Sequence, residues 1–217
     1  MRHGGHGCLQ PFVKDSEMKH KLVIGNWKMN GSREAKRQLL AGMLPALALL
    51  DAVEIAVCPP HPYLEQVGGL LQGSRLGLGA QNVSARPDGA VTGEVSVSML
   101  RDLGCHWVLV GHSERRALLG ESSAMVADKY AAALAGGLVP VLCVGETLAH
   151  RRQGLAMAVT STQPQAVAAP AGGEGPASGV IAHEPALAIA TGPSSVPQPP
   201  PDDPHPAPPP PARRVPV

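Results

Sequence analysis

From Lys21 onward the chain alternates between short apolar runs and longer amphipathic stretches. Six runs have strand character: residues 22–27, 53–58, 76–81, 107–111, 139–144 and 180–183. None alternates strictly between apolar and polar positions, as expected of parallel strands covered on both faces. Helix candidates lie between them. Ser32 can cap "REAKRQLLAGML", and "HPYLEQVGGLLQ" follows the second run. "EVSVSMLRDLG" stops at a glycine, "ESSAMVADKYAAALAGG" starts with an acid and ends in Gly-Gly, and "ETLAHRRQGLAMAV" follows the fifth run. Six strand–helix repeats of roughly 25 to 35 residues predict a parallel α/β fold. Two windings fit, an open doubly wound sheet or a (β/α) barrel; a closed barrel needs about eight strands, two more than the pattern supplies.

Two segments break the rhythm. Residues 160–178 are rich in Ala, Gly and Pro and predict a poor helix. In residues 193–217, 12 of 25 positions are proline, which removes backbone donors and fixes φ, so polyproline II or disorder is expected there.

Composition narrows the function classes. Aromatic residues make up only 2% of the 217, so the core must be built from Leu, Val, Ile and Ala. A formal net charge of +1 gives no electrostatic case for nucleic acid or an anionic membrane as partner. Cys8, Cys58, Cys105 and Cys143 are far apart, with no CxxC or Cys/His metal spacing; reduced thiols in a cytosolic protein are the expectation. The apolar runs are too short or interrupted to span a bilayer, and the first 20 residues lack the apolar stretch of a secretory signal.

Three strand ends carry candidate chemistry. In "VIGNWKMNG", Asn26 and Lys28 alternate with Trp27, so strand spacing puts them on one side, where an ammonium and an amide could bind an anion or oxyanion. The bland alternative is a solvated lysine beside a turn. In "VLVGHSERR", His112 follows a four-residue apolar strand and could act as a general acid, with a helical turn starting at Ser113 holding the imidazole neutral. The alternative is a structural histidine and a surface salt-bridge run. In "VIAHEP", Glu184 stands at the end of the last strand, where an apolar mouth would make it a base of raised pKa; the alternative is an exposed loop glutamate. "GAQN", "GAVTGE" and "VLCVGET" read only as strand-to-helix loops, and no P-loop, GxGxxG or GxSxG motif occurs. Lys, His and Glu at the C-terminal ends of three different strands is the arrangement of a barrel active site.

Taken together, "GNWKMNG", "AQNVSARPDGAVTGEVS", "VLVGHSERR", "PVLCVGET" and "VIAHEP…AIATG" resemble the triosephosphate isomerase family, in chain order and over about residues 21–192. The resemblance implies a TIM (β/α)8-type barrel, here with about six βα units. It also implies cofactor-free interconversion of dihydroxyacetone phosphate and glyceraldehyde 3-phosphate in glycolysis and gluconeogenesis, in the cytoplasm. It makes Glu184 the base, His112 the neutral electrophile, and Lys28 with Asn26 the charge and donor toward enediolate and phosphate. Ser113 and Glu114 become supporting partners, Ala190 and Gly192 substrate-binding positions in a lid, and Thr92 a residue reaching into the neighbouring subunit of a homodimer. The expected organisation is an extension over 1–17 before Met18, a barrel domain over 18–192 and the Pro-rich tail over 193–217.

Departures from the family pattern cluster after Glu184. Leu187 stands where the lid hinge is usually Trp, Ala190 where its tip is Gly, Pro193 where a Lys is usual, and His183 where Tyr is usual. The family's seventh and eighth strands, with their phosphate-binding loops, have no counterpart, so a severe loss of kcat/KM is expected. Two competing readings are an interaction partner of a full-length isomerase subunit, and a tail whose PxxP spacings near Arg213 and Arg214 recruit SH3 or WW domains.

Overall fold

The structure is a computed structural model and describes residues 21–50, 53–168 and 179–184. The expected extension, the lid with Ala190 and Gly192, and the Pro-rich tail lie outside these residues. Strands β1 (Lys21–Asn26), β2 (Val53–Cys58), β3 (Leu76–Ala80), β4 (Trp107–Val110), β5 (Val139–Val144) and β6 (Val180–His183) form one parallel sheet in the order 1-2-3-4-5-6. Every strand lies beside its predecessor. A doubly wound sheet reverses direction at a switch point, so this order selects the barrel winding.

Along each strand, successive side chains enter two different apolar environments. Ala56, Cys58, Trp107, Leu109, Val141 and Cys143 form one cluster with Leu22, Ile24, Val180 and Ala182, facing the inside of the curve. Their sequence neighbours Val57, Val108, Val110, Leu142 and Val144 pack outward with Leu40, Leu64, Val67, Val126 and Tyr130 of the helices. A period of two is therefore present, but both phases are apolar and the sequence shows a continuous run. On β3 the inward positions are Gly77 and Gly79. A Cβ at Gly79 would lie 2.6 Å from Cys58 Sγ and 3.0 Å from Trp107 Cβ, so the glycines make room for the one large aromatic of the inner layer.

The helices are α1 (Arg33–Leu47), α2 (Leu64–Leu71, entered through a 3-10 turn at His61–Tyr63), α3 (Val97–Asp102), α4 (Ser113–Leu119), α5 (Ser123–Ala135), α6 (Leu148–Arg152) and α7 (Ala156–Ala168). Ser32 caps α1, its hydroxyl accepting from the Ala35 N–H at 3.2 Å. The helix continues past Met43 and Leu44 through Pro45 to Leu47, with Leu44 and Leu47 packed against the core. The expectation of a poor helix from residue 160 is corrected in part: α7 runs to Ala168 despite Pro164. Val167 is fully buried, and the Thr160 hydroxyl donates back to the Ala156 carbonyl at 2.9 Å. Docking of an apolar position outweighs weak propensity here.

Gly111 joins β4 to the candidate histidine. Its φ is +72°, and a Cβ there would lie 2.8 Å from Val126 Cγ1 and 2.9 Å from Arg116 Nη2. Left-handed strain and overpacking each cost about 1–2 kcal/mol for an L residue, so Gly111→Ala is expected to destabilise the protein by about 3 kcal/mol, read as a lower urea midpoint.

Candidate active site

The candidate residues meet at the C-terminal edge of the sheet. His112 is buried and caps α4. Its Nδ1 accepts from the Glu114 N–H at 3.2 Å, so the proton of the neutral ring sits on Nε2. Nε2 stands 2.8 Å from Glu184 Oε1 and donates to it. The other carboxylate oxygen, Oε2, accepts from the Ser113 N–H at 3.1 Å. Glu184 is therefore held by two donors, one at each oxygen, with its side chain only 18% exposed.

This arrangement reverses the expected direction of the Glu184 titration. Burial pushes its carboxyl up, but the hydrogen bonds from His112 and Ser113 together outweigh burial and hold it below the ordinary carboxylate range.

Lys28 arrives by a different route from the one strand spacing suggests. β1 stops at Asn26, and Lys28 has φ 51°, a left-handed conformation rare for a lysine. Asn26 stabilises it by accepting the Lys28 N–H on Oδ1 at 2.9 Å. The Lys28 ammonium pairs with Glu114 Oε1 at 2.8 Å. Glu114 thus orients His112 through its backbone and Lys28 through its side chain. Asn26, Lys28, His112 and Glu114 line a cleft of roughly 480 Å³ together with Met29, Gln81 and Leu118. Thr92 is exposed in the β3–α3 loop and does not line this cleft.

Three supports were not legible as site residues. The Gln81 amide donates to the Lys28 carbonyl at 2.9 Å and the Cys58 carbonyl at 2.7 Å, tying the β1–α1 loop to β2. "GAQN" marks only a loop, because its partners lie 23 and 53 residues away. Lys36 is 2% exposed, donates to the Asn30 carbonyl at 2.6 Å and lies 3.9 Å from the Tyr63 ring centroid. Asn30 in turn donates to the Trp27 carbonyl at 3.2 Å. Lys36→Met keeps the apolar stem but loses the bond to the exposed Asn30 carbonyl and the cation–π contact with Tyr63, an expected loss of about 1 kcal/mol in urea unfolding. The third support, Gln163, is taken up below.

His183 stands 3.3 Å from Glu146 Oε2, while Arg151 holds Oε1 at 2.9 Å. The buried free thiols offer no nucleophile: burial pushes Cys143 up, and Cys58 and Cys105 to about 12. Among the described residues no group of three His, Cys, Asp or Glu could hold a metal, and no helix is long and apolar enough to cross a membrane.

A family model for triosephosphate isomerase matches residues 21–202. The chain belongs to the triosephosphate isomerase family. It is 55% identical over 181 residues to triosephosphate isomerase of Thiobacillus denitrificans, covering 83% of this chain and 72% of that relative. It is 51% identical over 180 residues to the enzyme of the same name from Dechloromonas aromatica, with the same coverage. The corresponding protein of Nitrosococcus oceani is 48% identical over 181 residues, again covering 83% and 72%. The sequential parallel winding of the described residues is that of six consecutive strands of a triosephosphate isomerase barrel.

Proposed function

We propose that this chain interconverts dihydroxyacetone phosphate and glyceraldehyde 3-phosphate, with Glu184 as the base, His112 as the electrophile and Lys28 with Asn26 supporting the developing anion. The observation that carries the reading is the Glu184–His112 hydrogen bond at 2.8 Å, with Lys28 joined to the same histidine through Glu114.

The resting geometry suggests how the reaction starts. Both oxygens of Glu184 are occupied, so the carboxylate must rotate away before it can take a proton from carbon. A substrate carbonyl oxygen can replace Glu184 Oε1 as the acceptor of the His112 Nε2–H. The freed carboxylate then loses the donors that depress its pKa while keeping its burial, so its basicity rises where it is needed. The proton moves from one substrate carbon to Glu184, and the oxyanion of the enediolate forms against the Nε2–H and the Lys28 charge. His112 Nε2 hands its proton to the first oxygen and takes the hydroxyl proton from the other, so that the second oxygen becomes the new carbonyl as Glu184 returns the carbon proton to the adjacent carbon. Preorganised donors of this kind, placed at the developing charge, make a weakly acidic carbon proton removable. Lys28 and Asn26 line the cleft, and the Lys28 charge suits a phosphorylated substrate.

The same reading makes the protein a cytosolic homodimer, with Thr92 in the subunit contact. The exposed Thr92 loop and the exposed Leu118 and Leu119 beside the cleft support it. Light scattering at micromolar concentration tests the dimer. A coupled assay on the purified full chain tests the activity: turnover above that of Glu184→Gln supports the reading, and turnover no higher than this control rejects it.

A further inference from the structure

We infer that Gln163 is a positioning residue for Glu184, acting through the peptide of Gly145. The inference rests on Glu184 being the base. Gly145 is the first residue beyond β5. Its N–H donates to Gln163 Oε1 at 2.9 Å, and its carbonyl accepts from Gln163 Nε2 at 3.0 Å. One side-chain amide thus occupies both polar groups of one residue, as a neighbouring strand would.

What rests on Gly145 is the backbone of the base. The Glu184 N–H donates to the Val144 carbonyl at 2.8 Å, and the β5–β6 register pairs Val144 with His183. A Cβ at Gly145 would lie 2.3 Å from the Glu184 carbonyl oxygen and 3.5 Å from its Cβ. The two backbones are therefore in direct contact, and the position of Gly145 sets that of Glu184. β6 is only four residues long, so few ladder bonds hold it independently. α7 buries Val167 against the core, and the Gln163 amide fixes where the helix meets the end of β5.

The contact has a chemical consequence. The Glu184 carboxylate must sit within hydrogen-bond reach of His112 at rest and swing to a carbon during turnover. A shift of a few tenths of an ångström in its backbone alters both positions, while Lys28 and Asn26, on β1 and its loop, stay in place. Loss of the clamp is thus read in the chemical step and not in substrate binding.

Two variants test this in the full chain. Gln163→Met keeps length and volume and removes both amide bonds; Gln163→Glu keeps an acceptor for the Gly145 N–H and removes the donor. Both are expected to lower kcat, on the order of tenfold for Met and less for Glu, with KM within about twofold of wild type. Exchange of the Glu184 amide hydrogen, followed by NMR, is expected to accelerate while that of Val108 and Val110 does not change. Unchanged kcat together with unchanged Glu184 exchange overturns the inference. So does a loss of activity matched by equal acceleration at Val108 and Val110, which marks a merely structural role. The exchange measurement needs no turnover, so it judges the clamp even if Glu184→Gln proves as active as wild type and the base assignment fails.

Discussion

Glu184→Gln is expected to lower kcat for triose phosphate isomerisation by about 10³-fold, within the range that a positioned general base contributes. The amide has no basic electron pair at neutral pH, so proton abstraction from carbon loses its acceptor. It also fits its surroundings badly. Both present partners of the carboxylate, His112 Nε2–H and Ser113 N–H, are donors, and the NH2 end of glutamine must face one of them. Glu184→Asp separates chemistry from reach: it keeps the base but withdraws it by one methylene, and a loss of about 10²-fold is expected. The coupled assay on all three proteins checks the order wild type, Asp, Gln; a Gln variant within tenfold of wild type would sink the assignment.

A stability readout accompanies the kinetic one. The folded-state pKa of Glu184 is depressed, because its hydrogen bonds outweigh burial. Its contribution is therefore present at pH above the unfolded carboxyl value of about 4.3 and is lost as pH falls through the lower folded value. Glu184→Gln should consequently be less stable than wild type in urea at pH 7, and the deficit should shrink at pH below about 4. A deficit that is constant from pH 7 to pH 3 would assign the loss to packing instead.

The contrast between legible and hidden features follows from the range of the interactions. The six strands were readable because parallel strands buried on both faces leave uninterrupted apolar runs, and Val53–Cys58, Val139–Val144 and Val180–His183 fall where those runs lie. Ser32 was readable as a helix cap because it acts within three residues of its own position. The run of βα repeats does not by itself decide the winding, since it is common to both candidate folds; the family resemblance points to the barrel, and the sequential strand pairing bears it out. Lys28 was legible as a residue at a strand end, but strand spacing gave the wrong reason, because a left-handed turn held by Asn26 aims it. The sign of the Glu184 shift depends on donors 71 and 72 residues distant in sequence (184 − 113 and 184 − 112), and no local pattern encodes them. Lys36, Gln81 and Gln163 look like ordinary polar surface positions, and only tertiary contacts reveal them as supports.

Removal of His112 should produce the next largest effect. His112→Ala is expected to lower kcat by about 10²- to 10³-fold, the range seen when one preorganised oxyanion donor is removed. The variant loses the Nε2–H that can meet the substrate oxygen, and it also changes the base. Burial pushes the Glu184 carboxyl up, and His112 is the largest influence opposing it. Without the imidazole the balance tips toward burial, so the acid limb of kcat/KM attributable to Glu184 should move to higher pH in the variant. Wild type keeps an ionised Glu184 to below the ordinary carboxylate range. His112→Gln offers a side-chain N–H over a similar reach and should retain more activity than His112→Ala, with a smaller movement of the limb. Because Glu114 donates its backbone N–H to Nδ1 and its carboxylate pairs with Lys28, KM should also rise in the alanine variant as Glu114 loses its partner and Lys28 loses its fixed position. The pH–rate profiles of wild type, His112→Gln and His112→Ala, taken from pH 4 to pH 9, check all three statements. Equal acid limbs in wild type and His112→Ala would show that the histidine does not set the ionisation of Glu184, and would leave Ser113 as the group that does.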